Sequence, residues 1–127
     1  MKLKDDFFKI EEESIADNNK IEYTIRLNPE HFIYKAHFPG NPITPGVCIT
    51  QIIKELLEEQ LQCELFLRKT VKVRYLNVIN PTVNEIVNLT LSITEEDEKN
   101  INISAIVYYN DITFSQLSFV GEKGREN

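Results

Sequence analysis

Val47–Gln62 (VCITQIIKELLEEQLQ) constrains the fold more than any other stretch. Ile49, Ile52, Ile53, Leu56, Leu57 and Leu61 recur at helical spacing, with Lys54, Glu58, Glu59 and Gln62 turned away. No other segment reads as a long helix. On both sides the period is two. Upstream, residues 21–27 (IEYTIRL) put Ile21, Tyr23, Ile25 and Leu27 on one face, and a strand around 7–14 pairs with them through the ADNNK turn at 16–20. Downstream, 70–79, 83–94, 101–109 and 112–120 read as strands. Polar EEDEKN separates the second from the third, and Asn110-Asp111 tolerate the positive φ of a tight hairpin. The GEKGREN tail, 121–127, is expected to fray. One helix among antiparallel strands hides its stripe best inside a curved sheet, which in turn buries its own inner face. The expected fold is therefore α+β, a curved antiparallel sheet around one central helix.

Size agrees with a single domain over 1–127, because 127 residues support one core and not two. The chain has no apolar stretch of ~18 residues, and MKLKDDFFKIEEE carries acids where a signal peptide needs an apolar core, so a cytoplasmic protein is expected. Cys48 and Cys63 are too few and too loosely spaced for a disulfide framework or a zinc site. They read as reduced thiols, and neither metal nor cofactor is expected. Asn88-Leu-Thr and Asn102-Ile-Ser match glycosylation sequons but read as polar positions of alternating strands.

A net charge of −6 argues against a nucleic-acid protein, which needs a basic surface. One segment differs: residues 68–74 (RKTVKVR) gather Arg68, Lys69, Lys72 and Arg74. Either these line the solvated face of a strand whose Val71, Val73 and Tyr75 point inward, or they meet an acidic partner.

Residues 37–46, HFPGNPITPG, hold three of the five prolines and two of the four glycines. Pro39, Pro42 and Pro45 fix φ and restrict the residues before them, while Gly40 and Gly46 allow turns or close backbone approach. This rigid loop leads into a helix whose first turn has unpaired N–H groups and a partial positive charge. Two readings fit: a helix start beside a solvent-facing histidine, or a site in which His37 and the N–H groups at Gly46-Val47 act together on a carbonyl.

His37 to Val47, HFPGNPITPGV, closely resembles the signature of the 3-hydroxyacyl-ACP dehydratases, the bacterial fatty-acid-synthesis enzymes with the hot-dog fold. The resemblance implies a dimer, or a trimer of dimers, with active sites between subunits and an acyl tunnel beside the central helix. Its substrate would be a 3-hydroxyacyl thioester carried on acyl carrier protein or coenzyme A. His37 would take the C2 proton, and the Gly46 N–H with the helix dipole would hold the enolate-like charge. Phe38, Ile43 and Val47 would line the tunnel, with Pro39 and Gly40 in the same substrate-binding loop. Arg68, Lys69, Lys72 and Arg74 would dock the acidic carrier protein.

One exchange departs from that pattern. The family carries Glu or Asp fourteen residues after the histidine, the acid contributed by the other subunit, and commonly Gln one turn later. Here these residues are Gln51 and Glu55. Four helical positions are a rise of about 6 Å and a rotation of roughly 40°, so Glu55 lies deeper on the same stripe. An amide cannot deliver a proton near neutral pH, and losing a general acid typically costs ~10²–10⁴ in rate. Three functions remain open. The first is dehydration, with Gln51 holding the hydroxyl while His37 moves the proton both ways, or with Glu55 acting through a water. The second is thioester hydrolysis by a water held on Gln51, and the third is a binding subunit paired with a complete paralogue.

Two further points bear on the site. The Pro-His-Arg segment that many members carry before the first strand is absent, and His31 reads as a turn residue near the site. Lys54, Glu55, Glu58 and Glu59 are more charge than a wholly buried helix tolerates, which implies an exposed face or pairing within an oligomer.

Overall fold

The computed structural model describes residues 1–17 and 19–127, so the expected 16–20 turn falls partly outside the described residues at Asn18. The described residues form strands β1 (Phe8–Asp17) and β2 (Lys20–Leu27), a one-turn helix α1 (Phe32–Ala36) and the long helix α2 (Gly46–Leu61). Strands β3 (Cys63–Tyr75), β4 (Ile86–Glu95), β5 (Asn100–Tyr109) and β6 (Ile112–Glu126) follow. The six strands make one sheet in the order β1-β2-β4-β5-β6-β3, and every neighbouring pair is antiparallel. This is the curved antiparallel sheet around a central helix that the sequence implied, a hot-dog fold.

Period-two patterning does its expected work in the middle of the sheet. Ile21, Tyr23, Ile25 and Leu27 of β2, Val87, Leu89, Leu91 and Ile93 of β4, and Ile101, Ile103, Ala105 and Val107 of β5 are buried, and their strand neighbours are not. Against this face α2 lays Cys48, Ile49, Ile52, Ile53, Leu56 and Leu57. Asn110 takes the left-handed conformation (φ 52°) in the β5–β6 hairpin.

The structure corrects four expectations. First, β3 begins directly after the helix, at Cys63 and not at 70. Gln62 adopts φ 55°, its N–H closes on the Glu58 carbonyl, and the chain reverses without a loop. Second, residues 76–79 lie beyond β3, and β4 starts at Ile86.

Third, the 121–127 tail does not fray. The early start of β3 gives it a partner, so β6 continues to Glu126 with Leu65 opposite Lys123 and Cys63 opposite Glu126. Fourth, Val71, Val73 and Tyr75 do not point into the core: they are 60%, 37% and 54% exposed. β3 is an edge strand, and its second half carries an exposed residue at every position on both faces. Leu76 and Val78 continue the same exposed apolar strip.

Among the described residues, no helix is long and apolar enough to cross a membrane. Cys48 and Cys63 are free and buried, and burial pushes both thiols up from their ordinary range.

Candidate active site

His37 ends α1 as its C-cap and stands exposed at the surface. Its backbone is held from both directions: the His37 N–H donates to the Ile33 carbonyl at 2.9 Å, and the Ile43 N–H donates to the His37 carbonyl at 2.8 Å. Between those points the loop closes on itself. Phe38 and Asn41 exchange backbone hydrogen bonds of 3.1 and 2.8 Å around Gly40, whose φ of 76° suits glycine. The His37–Phe38 peptide is cis.

The far end of the loop is bolted to the sheet. Thr44 donates from its N–H and its hydroxyl to the Ile79 carbonyl at 2.9 and 3.1 Å. The Tyr34 hydroxyl, back on α1, donates to Thr44 Oγ1 at 2.8 Å. Burial pushes the Tyr34 phenol well above its usual range, so it remains a donor. Pro45 is the N-cap of α2 and supplies no side-chain acceptor, which leaves the Gly46 and Val47 N–H groups without an intrahelical partner.

Tyr75, at the end of β3, lies against this terminus. A Cβ on Gly46 would come within 2.3 Å of its hydroxyl oxygen, so a larger residue there would displace the Tyr75 ring. Sequence reasoning missed Tyr75, because it expected this side chain in the core. The imidazole of His37 and the free N–H groups of α2 thus belong to one cross-braced loop. Phe38 (53% exposed) and Val47 (68% exposed) lie open beside it, and Ile43 is half-buried. Pro39 and Gly40 are exposed.

His37, Phe38, Ile43 and Val47 do not line the apolar cavity beneath α2, which Ile25, Leu27, Thr44, Ile49, Ile52 and Ile79 help enclose. That cavity measures about 10 Å³, room for a single water and not for an acyl chain.

The exchanged pair on α2 has a physical explanation. Glu55 accepts the Leu3 N–H on Oε2 at 2.7 Å and the Lys4 N–H on Oε1 at 2.8 Å. Gln51 Nε2 donates to Glu55 Oε2 at 2.8 Å and to the Met1 carbonyl at 2.6 Å. Both partners of that amide nitrogen are pure acceptors, so the amide orientation is fixed by the network. A carboxylate at 55 and an amide at 51 are what this N-terminal strap requires.

Two consequences follow for chemistry. Both carboxylate oxygens of Glu55 are engaged by the strap, and both Gln51 N–H groups are spent, leaving its carbonyl oxygen as the group it offers outward. No sequence signal could have revealed the strap, because its donors at Leu3 and Lys4 are backbone N–H groups. Of the other charges on the helix, Glu58 accepts the Leu65 N–H at 2.9 Å and Glu59 pairs with Lys4 Nζ at 2.5 Å, while Lys54 makes no ion pair among the described residues.

The basic segment lies along the exposed part of β3. Arg68 reaches Glu122 at 3.3 Å, while Lys69, Lys72 and Arg74 make no ion pair among the described residues. His31, the expected turn residue, is buried as the N-cap of α1.

Comparison with known proteins decides the family. The sequence model of the ApeI-like dehydratases matches residues 12–111, most of the chain and the whole 37–47 loop. The chain belongs to the ApeI-like dehydratase family. No curated protein sequence is significantly similar to this family member.

Among solved structures, it resembles a chain of the dehydratase heterocomplex ApeI:P from Xenorhabdus doucetiae. The TM-score there is 0.71 at 16% identity, over 89% of this chain and 96% of that one. It also resembles a hypothetical thioesterase with coenzyme A from Streptococcus pneumoniae, with a TM-score of 0.62 at 7% identity over 94% and 88% of the two chains. A third likeness is to a thioesterase-like protein of Lactococcus lactis, with a TM-score of 0.63 at 12% identity over 94% and 91%. At these identities the structural likenesses speak for the hot-dog fold that dehydratases and thioesterases share.

Proposed function

We propose that this ApeI-like protein removes water from a 3-hydroxyacyl thioester, with His37 carrying the proton in both directions. The observation that carries this reading is the braced loop, which ties the His37 carbonyl to Ile43 and presents the free N–H groups of Gly46 and Val47 in the same unit. In the proposed reaction the thioester carbonyl accepts from those N–H groups, which makes the C2 proton acidic. The His37 imidazole takes that proton. The C2–H electron pair becomes the new C2–C3 π bond as the C3–O bond breaks, and the imidazolium returns the proton to the departing hydroxyl, releasing water. The carbonyl oxygen of Gln51, from a second subunit, accepts from the C3 hydroxyl and orients it. Glu55 holds the strap and takes no part.

The second subunit docks on the exposed apolar strip of β3 and its unpaired edge, and the acyl chain runs between subunits beside Phe38, Ile43 and Val47. Support comes from exposure at those residues and from a cavity under α2 too small for an acyl chain. The carrier is an acidic acyl carrier protein, met by Lys69, Lys72 and Arg74 with Arg68 at the margin. The second subunit is another copy, or a related hot-dog chain that brings a carboxylate; the dehydratase heterocomplex among the similar structures motivates that alternative.

A second reading has its own observation. A Gln51 that offers only an acceptor suits a bound water as well as a hydroxyl, and a water placed beside a polarised thioester carbonyl hydrolyses it.

The test is turnover of 3-hydroxyacyl-ACP by the purified protein, with products read by mass, alongside H37A, Q51E and E55Q. Dehydration gives 2-enoyl-ACP in wild type and a loss of roughly 10²-fold or more in H37A. Free acid and free carrier thiol would install the thioesterase reading instead. An inert wild type that gains activity on adding an acid-bearing paralogue, or in Q51E, would make the chain one half of a mixed site.

A further inference from the structure

The proposed reaction uses one of the two histidines, while the other is buried and bonded at both ring nitrogens. His31 is 6% exposed. Its Nδ1 accepts the Ile33 N–H at 3.1 Å, and its Nε2 lies 3.1 Å from Asp6 Oδ2. Since Nδ1 must accept, the proton of the neutral ring sits on Nε2 and is donated to Asp6. Phe7 meets the ring edge-on at 5.2 Å and Phe32 stacks on it at 4.6 Å, which fixes its plane. Ile33 therefore passes the constraint on: its N–H is held by His31, and its carbonyl accepts the His37 N–H at 2.9 Å.

We propose that Asp6 and His31 are positioning residues for His37, acting through the single turn of α1. Five residues of helix cannot hold themselves in water, because nucleation fixes several dihedrals for each hydrogen bond gained. α1 persists because its ends and middle are tied down: the His31 cap at one end, the Tyr34–Thr44 hydrogen bond between, and His37 at the other. Asp6 contributes by selecting the tautomer. With Nε2 protonated toward the carboxylate, Nδ1 is obliged to be the acceptor that Ile33 needs. Without Asp6 the ring can place its proton on Nδ1, where it opposes the Ile33 N–H. The catalytic consequence rests on the dehydratase reading; the effect on His37 geometry does not.

The experiment compares wild type, H31A, H31N, D6A and the D6A/H31N double variant, each well below its Tm. Amide hydrogen exchange at His37 is followed by NMR against the Ile53 amide in α2 as an internal standard, and turnover of 3-hydroxyacyl-ACP is measured in parallel. In H31A the His37 amide exchanges roughly tenfold faster while Ile53 is unchanged, and kcat falls roughly tenfold with KM within about twofold. H31N restores both, because an asparagine N-cap offers its side-chain oxygen to the same N–H. D6A loosens His37 in the wild-type background but adds nothing to H31N, since an amide has no tautomer to select.

Unchanged His37 exchange in H31A overturns the proposal whether or not the protein turns substrate over. Faster exchange throughout the chain, without recovery in H31N, assigns His31 to general stability and also overturns it. A wild type without turnover, alone or with an acid-bearing paralogue, would remove the dehydratase reading and leave the exchange data to decide the positioning.

Discussion

β5 and the second half of β3 both alternate apolar and polar residues, yet they meet opposite fates. β5 lies between β4 and β6 beneath α2, and Ile101, Ile103, Ala105 and Val107 are all buried. β3 lies at the edge, and beyond Leu67 its apolar residues are exposed. Alternation therefore specifies which residues share a face, while burial depends on what covers that face. In β5 the cover is the chain's own helix; in β3 this chain supplies none. The largest expected effect lies on the covered side. Ile103→Ala removes methylenes from a buried site, 1% exposed, and should cost about 2–5 kcal/mol by denaturant titration. A cost near that of a surface substitution would mean that the core is looser than its burial implies.

The N-terminus and the middle of α2 repeat the contrast on a smaller scale. Its N-terminus is left without a side-chain cap beside Tyr75, whereas the face carrying Gln51 and Glu55 is saturated by the N-terminal strap. At the first, N–H groups have no intrahelical partner; at the second, the side chains are engaged by the strap. Glu55→Ala leaves the Leu3 and Lys4 N–H groups unpaired in a partly buried setting and should cost about 1–3 kcal/mol. Glu55→Gln keeps an acceptor oxygen and should cost about half as much. Glu59→Ala, which loses only an exposed pair with Lys4, should cost under about 1 kcal/mol. Equal costs at 55 and 59, measured by thermal unfolding, would remove the strap from the list of what stabilises α2.

Legibility in the sequence follows the same division. β2, β4, β5 and α2 are readable because their own side chains carry the period, and one short loop packs HFPGNPITPGV into an unmistakable pattern. The start of β3 and the end of β6 are not readable singly. Cys63–Leu67 and Gly121–Glu126 become strands by pairing with each other across the sequence, and GEKGRE has almost no apolar residue to announce it.

The Gln51–Glu55 exchange is visible as a departure, but its cause lies some fifty residues away in backbone donors that no residue type marks. The sequence marks His31 only as a turn residue; its pairing with Asp6 crosses 25 positions and depends on the turn before β1 reaching α1.

Returning to β3, Val73→Ala should change the stability of the single chain by no more than about 1 kcal/mol, because Val73, 37% exposed, is only partly covered within it. Val73→Glu should act elsewhere. If the strip is covered by a second subunit, the charge enters that contact, so sedimentation velocity should show a smaller species and turnover should fall while the monomer's unfolding midpoint is kept. An unchanged sedimentation coefficient would return the strip to ordinary solvent-exposed edge.

The smallest effect is expected at the most exposed turn, between β4 and β5, where only pH brings it into view. Asp97 accepts from the Asn100 side chain at 3.0 and 3.2 Å, and from the Asn100 and Lys99 N–H groups at 2.8 Å each. The Asn100 side chain first, then the Asn100 and Lys99 backbone donors, hold its carboxyl below the ordinary range. With the folded value depressed, the unfolded chain binds more protons between the two values, so stability rises with pH across that window. The contribution is complete above the unfolded carboxylate value of about 3.9 and is lost as pH falls through the folded value. Asp97→Asn should therefore lower Tm by a small, constant amount from neutral pH down to roughly pH 4, with the difference from wild type closing below that. A difference that persists undiminished at lower pH would show that the amide disrupts the turn by shape, and that this hairpin, like the core strands, is held by packing and not by charge.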